Sequence, residues 1–278
     1  MALGLARQTG FDFDSRLADA LRDDIISAAA RRKNGVYESD PPVPSIPALL
    51  LIGLDGLGHK ADLLTDAYVH ALARNQFHDG RWITSVARAP SDYSDVTSTA
   101  LSLRALRLYA PPARKKEFAR RVQRAAAWLR KYQAKSTEEQ ALQILGLQWA
   151  GTTPSQIAPL MKVLLDEQRS DGGWAQLPTL QSDAYATGQT LYALHIGGGL
   201  PVSDPAYQRG IRFLLQTQAK NGSWRVPTRA FPVQKAIDDI FSHGEDQWSS
   251  ANGTSWALMA LMLGAKGTQG HKAIARVQ

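Results

Sequence analysis

The chain contains no cysteine among its 278 residues. That excludes disulfides, thiolate metal centres and cysteine nucleophiles, and it leaves the redox compartment open. No run of about 18 uncharged apolar residues occurs, so a membrane-spanning helix is not expected. The longest apolar block, IPALLLIGL at 46–54, is shorter than that and is flanked by proline and aspartate. Met1 opens onto ALGLARQTG without a basic start or a cleavage site, so no signal peptide is expected. A soluble or peripheral protein of undetermined compartment follows. Period-two alternation is nearly absent, which argues against a sheet. The histidines show neither HExxH nor i, i+4 pairing.

What is present supports a large core: 44% of residues are apolar. A single domain over residues 1–278 is expected. The net charge of +7 is concentrated in ARKKEFARRVQRAAAWLRK at 113–131. A solvated outer helix face explains that segment; an anionic membrane surface or ligand is its alternative partner. No nucleic-acid-binding motif accompanies it, and nucleic acid is not expected.

The sequence repeats itself internally. SDVTSTALSLRAL (94–106), SDAYATGQTLYAL (182–194) and SSANGTSWALMAL (249–261) align without gaps. Each opens with Ser and a capping residue, carries Thr five residues after that Ser, and ends in Ala-Leu. Ser, Asp and Asn accept hydrogen bonds from the free amides of a first helical turn, so these are helix starts. Apolar residues nearly encircle each segment, which marks a buried helix. STEEQALQILGL (136–147) and PSIPALLLIGL (44–54) are looser copies, and MALGLA (1–6) resembles the tail of another. Between them lie amphipathic segments at 14–32, 61–76, 112–133, 154–168 and 204–218. Three end alike, in QFHDGRW (76–82), QRSDGGW (168–174) and QAKNGSW (218–224). Buried and amphipathic helices in alternation predict an all-α toroid, an inner ring within an outer one; an open solenoid is the alternative. The glutamines Gln76, Gln168 and Gln218 are expected to bond free backbone groups at the next helix start. Glycine supplies the turn, and Trp82, Trp174 and Trp224 pack as staples.

RGIRFLLQTQAKNGSW (209–224) closely resembles the QW repeat of the squalene–hopene and oxidosqualene cyclases, whose relatives include protein prenyltransferase β subunits. The resemblance covers nearly the whole chain. It implies an α/α barrel of about six helix pairs around an apolar cavity for isoprenoid chains. Six inner and five outer helices are counted, with residues 270–278 a candidate start for the sixth outer helix. Related modules also occur as C-terminal parts of larger proteins, so an extension upstream of Met1 is left open.

In the family, Asp-x-Asp-Asp-Thr-Ala at an inner helix start supplies the acid that protonates an alkene or epoxide. The matching stretch is DVTSTA, where Asp95, Thr99 and Ala100 agree but Thr97 and Ser98 replace the acid and its partner. A hydroxyl cannot protonate an alkene, so standard acid-initiated cyclisation is not expected. The prenyltransferase zinc ligands are also missing, since Tyr185 stands where the cysteine would follow Asp183 and SSANGTSW holds no histidine; no metal or other cofactor is expected. The leading expectation is a barrel that binds an isoprenoid or other lipid-like molecule at a mouth lined by Asp92, Tyr93, Thr97, Tyr185, Asn252 and Trp256. A divergent class II cyclase using Asp95 or Asp183 as general acid is one alternative. A non-catalytic protein-interaction module is the other.

Overall fold

The computed structural model describes residues 1–32, 43–85, 87–91, 94–231 and 242–274, with side chains as far as residue 265. The elements in chain order are α1 (Ala2–Thr9), α2 (Ser15–Arg32), α3 (Ser45–Gly56), α4 (Leu63–Arg74), α5 (Asp95–Tyr109), α6 (Lys115–Lys131), α7 (Thr137–Trp149), α8 (Pro154–Asp166), α9 (Ala184–Tyr192), α10 (Pro205–Thr217) and α11 (Gln247–Ile274). A π turn, Ala193–Gly197, continues α9. No strand forms among the described residues.

Local chemistry explains most boundaries. Ser94, Ser136 and Asp183 cap α5, α7 and α9 by accepting backbone amides three residues ahead. Asp62 and Thr65 form a reciprocal capping box on α4. α5 and α7 bury residues on every side. The buried residues of α6 instead form one stripe, Phe118, Val122, Ala125, Ala126 and Leu129, at helical spacing. The first kind of helix belongs in a ring interior and the second in an outer layer.

The inner helices contact one another in the order α1, α3, α5, α7, α9, α11, and α11 contacts α1. That last contact closes the ring; in an open solenoid the terminal repeats stay apart. The α1–α3 crossing depends on two glycines, because a Cβ on Gly4 would lie 2.7 Å from the Cα of Gly56. Outer helices α4, α6, α8 and α10 bury their apolar residues against the inner layer, and α2 contacts α3.

Two expectations are corrected. Residues 270–274 continue α11 and do not begin a sixth outer helix; 275–278 lie outside the described residues. Among the described residues no outer helix occupies the place between α10 and the start of α2, and a groove of about 610 Å³ runs there. α11 also begins at Gln247, ahead of the start at Ser250 expected from the aligned repeats. No helix among the described residues is long and apolar enough to cross a membrane.

Candidate functional site

Three Gln-to-Trp turns hold the inner helix starts in place. The indole N–H of Trp82 donates to Leu72 O at 2.8 Å, that of Trp174 to Leu164 O at 2.7 Å, and that of Trp224 to Leu214 O at 2.8 Å. Each acceptor lies ten residues back on the preceding outer helix. The backbone amides of the same tryptophans donate to Thr99, Thr187 and Thr254 on the following inner helices. These are the threonines of the aligned repeats, so their recurrence has a geometric cause.

The glutamines depart from expectation. Gln76 Nε2 donates to Gly80 O in its own turn and to Arg121 O on α6, both at 2.9 Å. Gln168 Nε2 donates to Gly172 O at 2.9 Å and to Ala206 O on α10 at 2.8 Å. The partner beyond the turn is in each case a carbonyl of the next outer helix, because a glutamine at the end of an outer helix sits in the outer layer beside its neighbour there.

The turns place a set of side chains on the inner wall. Arg104 on α5 and Tyr192 on α9, which is not its ring neighbour, are near enough to influence one another electrostatically, so these faces point into the ring. Tyr192 in turn meets Trp256 of α11 edge to face at 5.5 Å, and the Arg104 guanidinium lies 5.5 Å over the Trp149 ring of α7. Burial lowers the Arg104 pKa below its ordinary value. Two turns above Arg104, on the same face of α5, Thr97 Oγ1 donates to Glu138 Oε1 on α7 at 3.1 Å. Tyr185 OH, on the face of α9 that carries Tyr192, donates to the same oxygen at 3.4 Å. Thr97, Glu138 and Tyr185 are all buried, Glu138 to 5% exposure. Burial, and secondarily the Glu138 carboxylate, pushes the Tyr185 phenol well above its usual value. One turn below Tyr185, Gln189 is 1% exposed, and neither amide atom makes a hydrogen bond of good geometry.

Of the residues singled out in the sequence, Thr97 and Tyr185 meet at this cluster and Trp256 joins the aromatic wall below it. Asp95 does not. Its Oδ1 accepts Thr84 N at 2.8 Å and its Oδ2 lies 3.2 Å from Arg81 Nε, which ties it to the turn after Trp82. Asp183 caps α9 through Ala186 N at 2.9 Å and borders a separate pocket of about 470 Å³ with Gln176 and Arg229. Burial pushes its carboxyl up to about 6, against the opposing pull of its hydrogen bonds and Arg229. Asn252, on α11, is exposed. Asp92 and Tyr93 lie outside the described residues.

Glu138 is the residue that sequence reasoning missed. Acids in a first helical turn read as dipole and capping partners, and its neighbour Glu139 behaves so, accepting Tyr132 OH at 3.1 Å and Lys135 N at 2.5 Å. The available signal was two consecutive acids opening an otherwise apolar inner helix: a step of about 100° sends one outward and the other inward.

The basic helix α6 spends much of its charge locally. Glu117 pairs with Arg114 at 2.6 Å and Arg121 at 2.9 Å, while Arg121 and Arg124 donate to groups at the end of α4. Among the described residues no three His, Cys, Asp or Glu side chains gather to hold a metal ion.

No family model matches the sequence, and no curated protein matches it. Solved structures do. An ent-copalyl diphosphate synthase from Streptomyces platensis superposes with a TM-score of 0.63 at 18% identity, covering 95% of this chain and 50% of the synthase. The type II terpene cyclase MstE from Scytonema, in complex with geranylgeranyl dihydroxybenzoate, superposes with a TM-score of 0.60 at 15% identity, covering 96% and 86%. The chain therefore spans about half the length of the first of these. The likeness is one of architecture, and this chain has the α/α toroid fold seen in class II terpene cyclases.

Proposed function

We propose that this chain binds an isoprenoid-like molecule inside its ring and protonates it from Glu138. The observation that carries this reading is the buried Glu138 carboxyl, 3.1 Å from the Thr97 hydroxyl. Thr97 occupies the position where the family resemblance expects an acid. The acid function is then displaced to the neighbouring inner helix and arrives at the same point in space. Asp95 and Asp183 serve the turn and the helix cap.

The reaction balances without an oxidant. The Glu138 O–H bond breaks as its proton moves to the less substituted carbon of a terminal alkene. The alkene π pair becomes the new C–H bond and leaves a tertiary cation. A second alkene closes a ring onto that cation. The final cation loses a proton to water, and water returns one to Glu138, so the net change is an isomerisation. Tyr192 and Trp256 offer aromatic rings to a cation, and Tyr185 and Thr97 orient the carboxyl. The likeness to a cyclase that binds a geranylgeranyl compound supports the substrate class.

The test is incubation with geranylgeranyl diphosphate, squalene and oxidosqualene, with products and bound lipid read by mass spectrometry. A cyclic product is expected that falls at least a hundredfold in Glu138→Gln and persists in Asp95→Asn. Bound lipid without turnover would leave a binding protein, the reading favoured by Thr97 and Ser98 at the motif. Neither lipid nor product would leave an interaction module.

A further inference from the structure

The net charge of the chain resides in one outer helix. Residues 113–131 hold eight Lys or Arg and one Glu, a net charge of +7, which equals that of the whole chain. The 24 basic and 24 acidic residues elsewhere cancel. Charge that serves solubility alone is interspersed over the surface.

The fold puts this charge on an open face. The buried stripe of α6 runs through Phe118, Val122, Ala125, Ala126 and Leu129. At 3.6 residues per turn, Lys116, Arg120 and Lys131 fall within about 60° of one another on the opposite side. All three are exposed, and among the described residues none makes an ion pair or hydrogen bond. Glu117 cancels a single cation, shared between Arg114 and Arg121. Arg121 and Arg124 also donate to Ala73 O and Gln76 Oε1, which are uncharged and leave the positive charge in place. A depression of about 680 Å³ opens at the start of α6, with Lys115, Lys116 and Arg120 among its lining residues.

Helix stability does not account for the arrangement. Arg114, Lys115 and Lys116 stand at the N-terminal end of α6, where the helix dipole is positive and cations are unfavourable. No side chain caps this helix, whereas α7 has Ser136 as its cap and opens with Glu138 and Glu139. A local rule is broken on a face that nothing in the ring needs, which marks that face as one for an anionic partner.

We propose that α6 holds the ring against an anionic lipid bilayer. The helix is 17 residues long, about 25 Å, and offers a row of cations to a flat surface. Nucleic acid suits the face less well, because α6 presents no open aromatic ring for a base to stack on. Phe118 is 1% exposed, and Trp128 is half-buried beside Tyr132. No large apolar residue of α6 is exposed either, so the attachment is electrostatic and peripheral, without insertion. The choice of lipid over other anions rests on the function proposed above, since an isoprenoid-like molecule dissolves in a bilayer.

The test is co-sedimentation of the whole chain with vesicles of phosphatidylcholine, with and without phosphatidylglycerol. Binding should require phosphatidylglycerol and disappear in about 1 M salt, where the screening length falls to about 3 Å. The triple variant Lys116→Gln, Arg120→Gln, Lys131→Gln should bind about a hundredfold more weakly, at about fivefold per charge. A control that loses as much charge elsewhere, Arg16→Gln, Lys162→Gln, Lys220→Gln, should bind like the parent. All six positions are exposed, so both variants should fold. Absence of binding overturns the proposal, as does equal binding to neutral vesicles or equal weakening by the two triple variants. Tighter binding to a nucleic-acid duplex at the same salt overturns it in favour of that partner. The vesicles carry no isoprenoid, so the contents of the ring are read separately, and either result stands whichever way the other falls.

Discussion

Glu138 and Thr97 share one hydrogen bond, 3.1 Å long, across the contact between α7 and α5. Two positions 41 residues apart thereby compete for a single place on the inner wall, and only one of them can carry a carboxyl there comfortably.

Thr97→Asp should therefore be costly. Two buried carboxyls within hydrogen-bond distance cannot both ionise, and about 2–4 kcal/mol of stability should be lost. Adding Glu138→Thr should recover most of it, with a coupling of at least about 1 kcal/mol in urea unfolding. Additive losses would mean that the two side chains do not meet.

The Trp174 staple separates packing from hydrogen bonding. Trp174→Phe keeps much of the ring but leaves Leu164 O without its donor, at about 1–3 kcal/mol. Trp174→Ala also opens a cavity and should cost about 3–5 kcal/mol. Equal midpoints for the two variants would show that the indole N–H contributes nothing.

Asp183 sets a pH dependence with a definite sign. Burial raises its folded-state pKa to about 6, from a reference of 3.8. The folded state holds this proton more tightly, so the stabilising contribution is fully present below about pH 4 and is lost as pH rises through about 6. Asn also caps a helix and stays neutral. The unfolding midpoint of Asp183→Asn relative to the parent should thus climb between these values and level off above them. A flat difference would exclude the shift.

Gly188 allows α9 to approach α11 closely. A Cβ there would lie 2.5 Å from Ala257 N and 2.6 Å from the carbonyl carbon of Trp256, both backbone atoms that cannot swing aside. Gly188→Ala should cost about 1–3 kcal/mol, although alanine favours a free helix. Calorimetry would show a lowered melting temperature, and an unchanged one would mean that the helices part freely.

Much of the architecture is written locally. The spacing of apolar residues separates α5, which is buried all round, from α6, which carries one stripe, and that difference assigns each to its layer. Ser94, Ser136 and Asp183 mark helix starts because a cap is a bond to an amide three residues away. The Gln-to-Trp turns are legible for the same reason: glycine and an Asx residue act within a few positions.

What tertiary structure decided was every relationship between distant residues. Contact of α1 with α11 closes the ring, and no periodicity separates that from an open stack. Thr254, like Thr99 and Thr187, is a repeat mark in the sequence and becomes an acceptor for a tryptophan amide only after folding. Asp95 looked like a remnant of a catalytic motif, and Thr84 N with Arg81 draws it into a turn. Glu138 looked like a first-turn acid, and the crossing of α5, α7 and α9 places it on the inner wall. A side chain's period along one helix says which face it is on; only the packing of neighbouring helices says what that face meets.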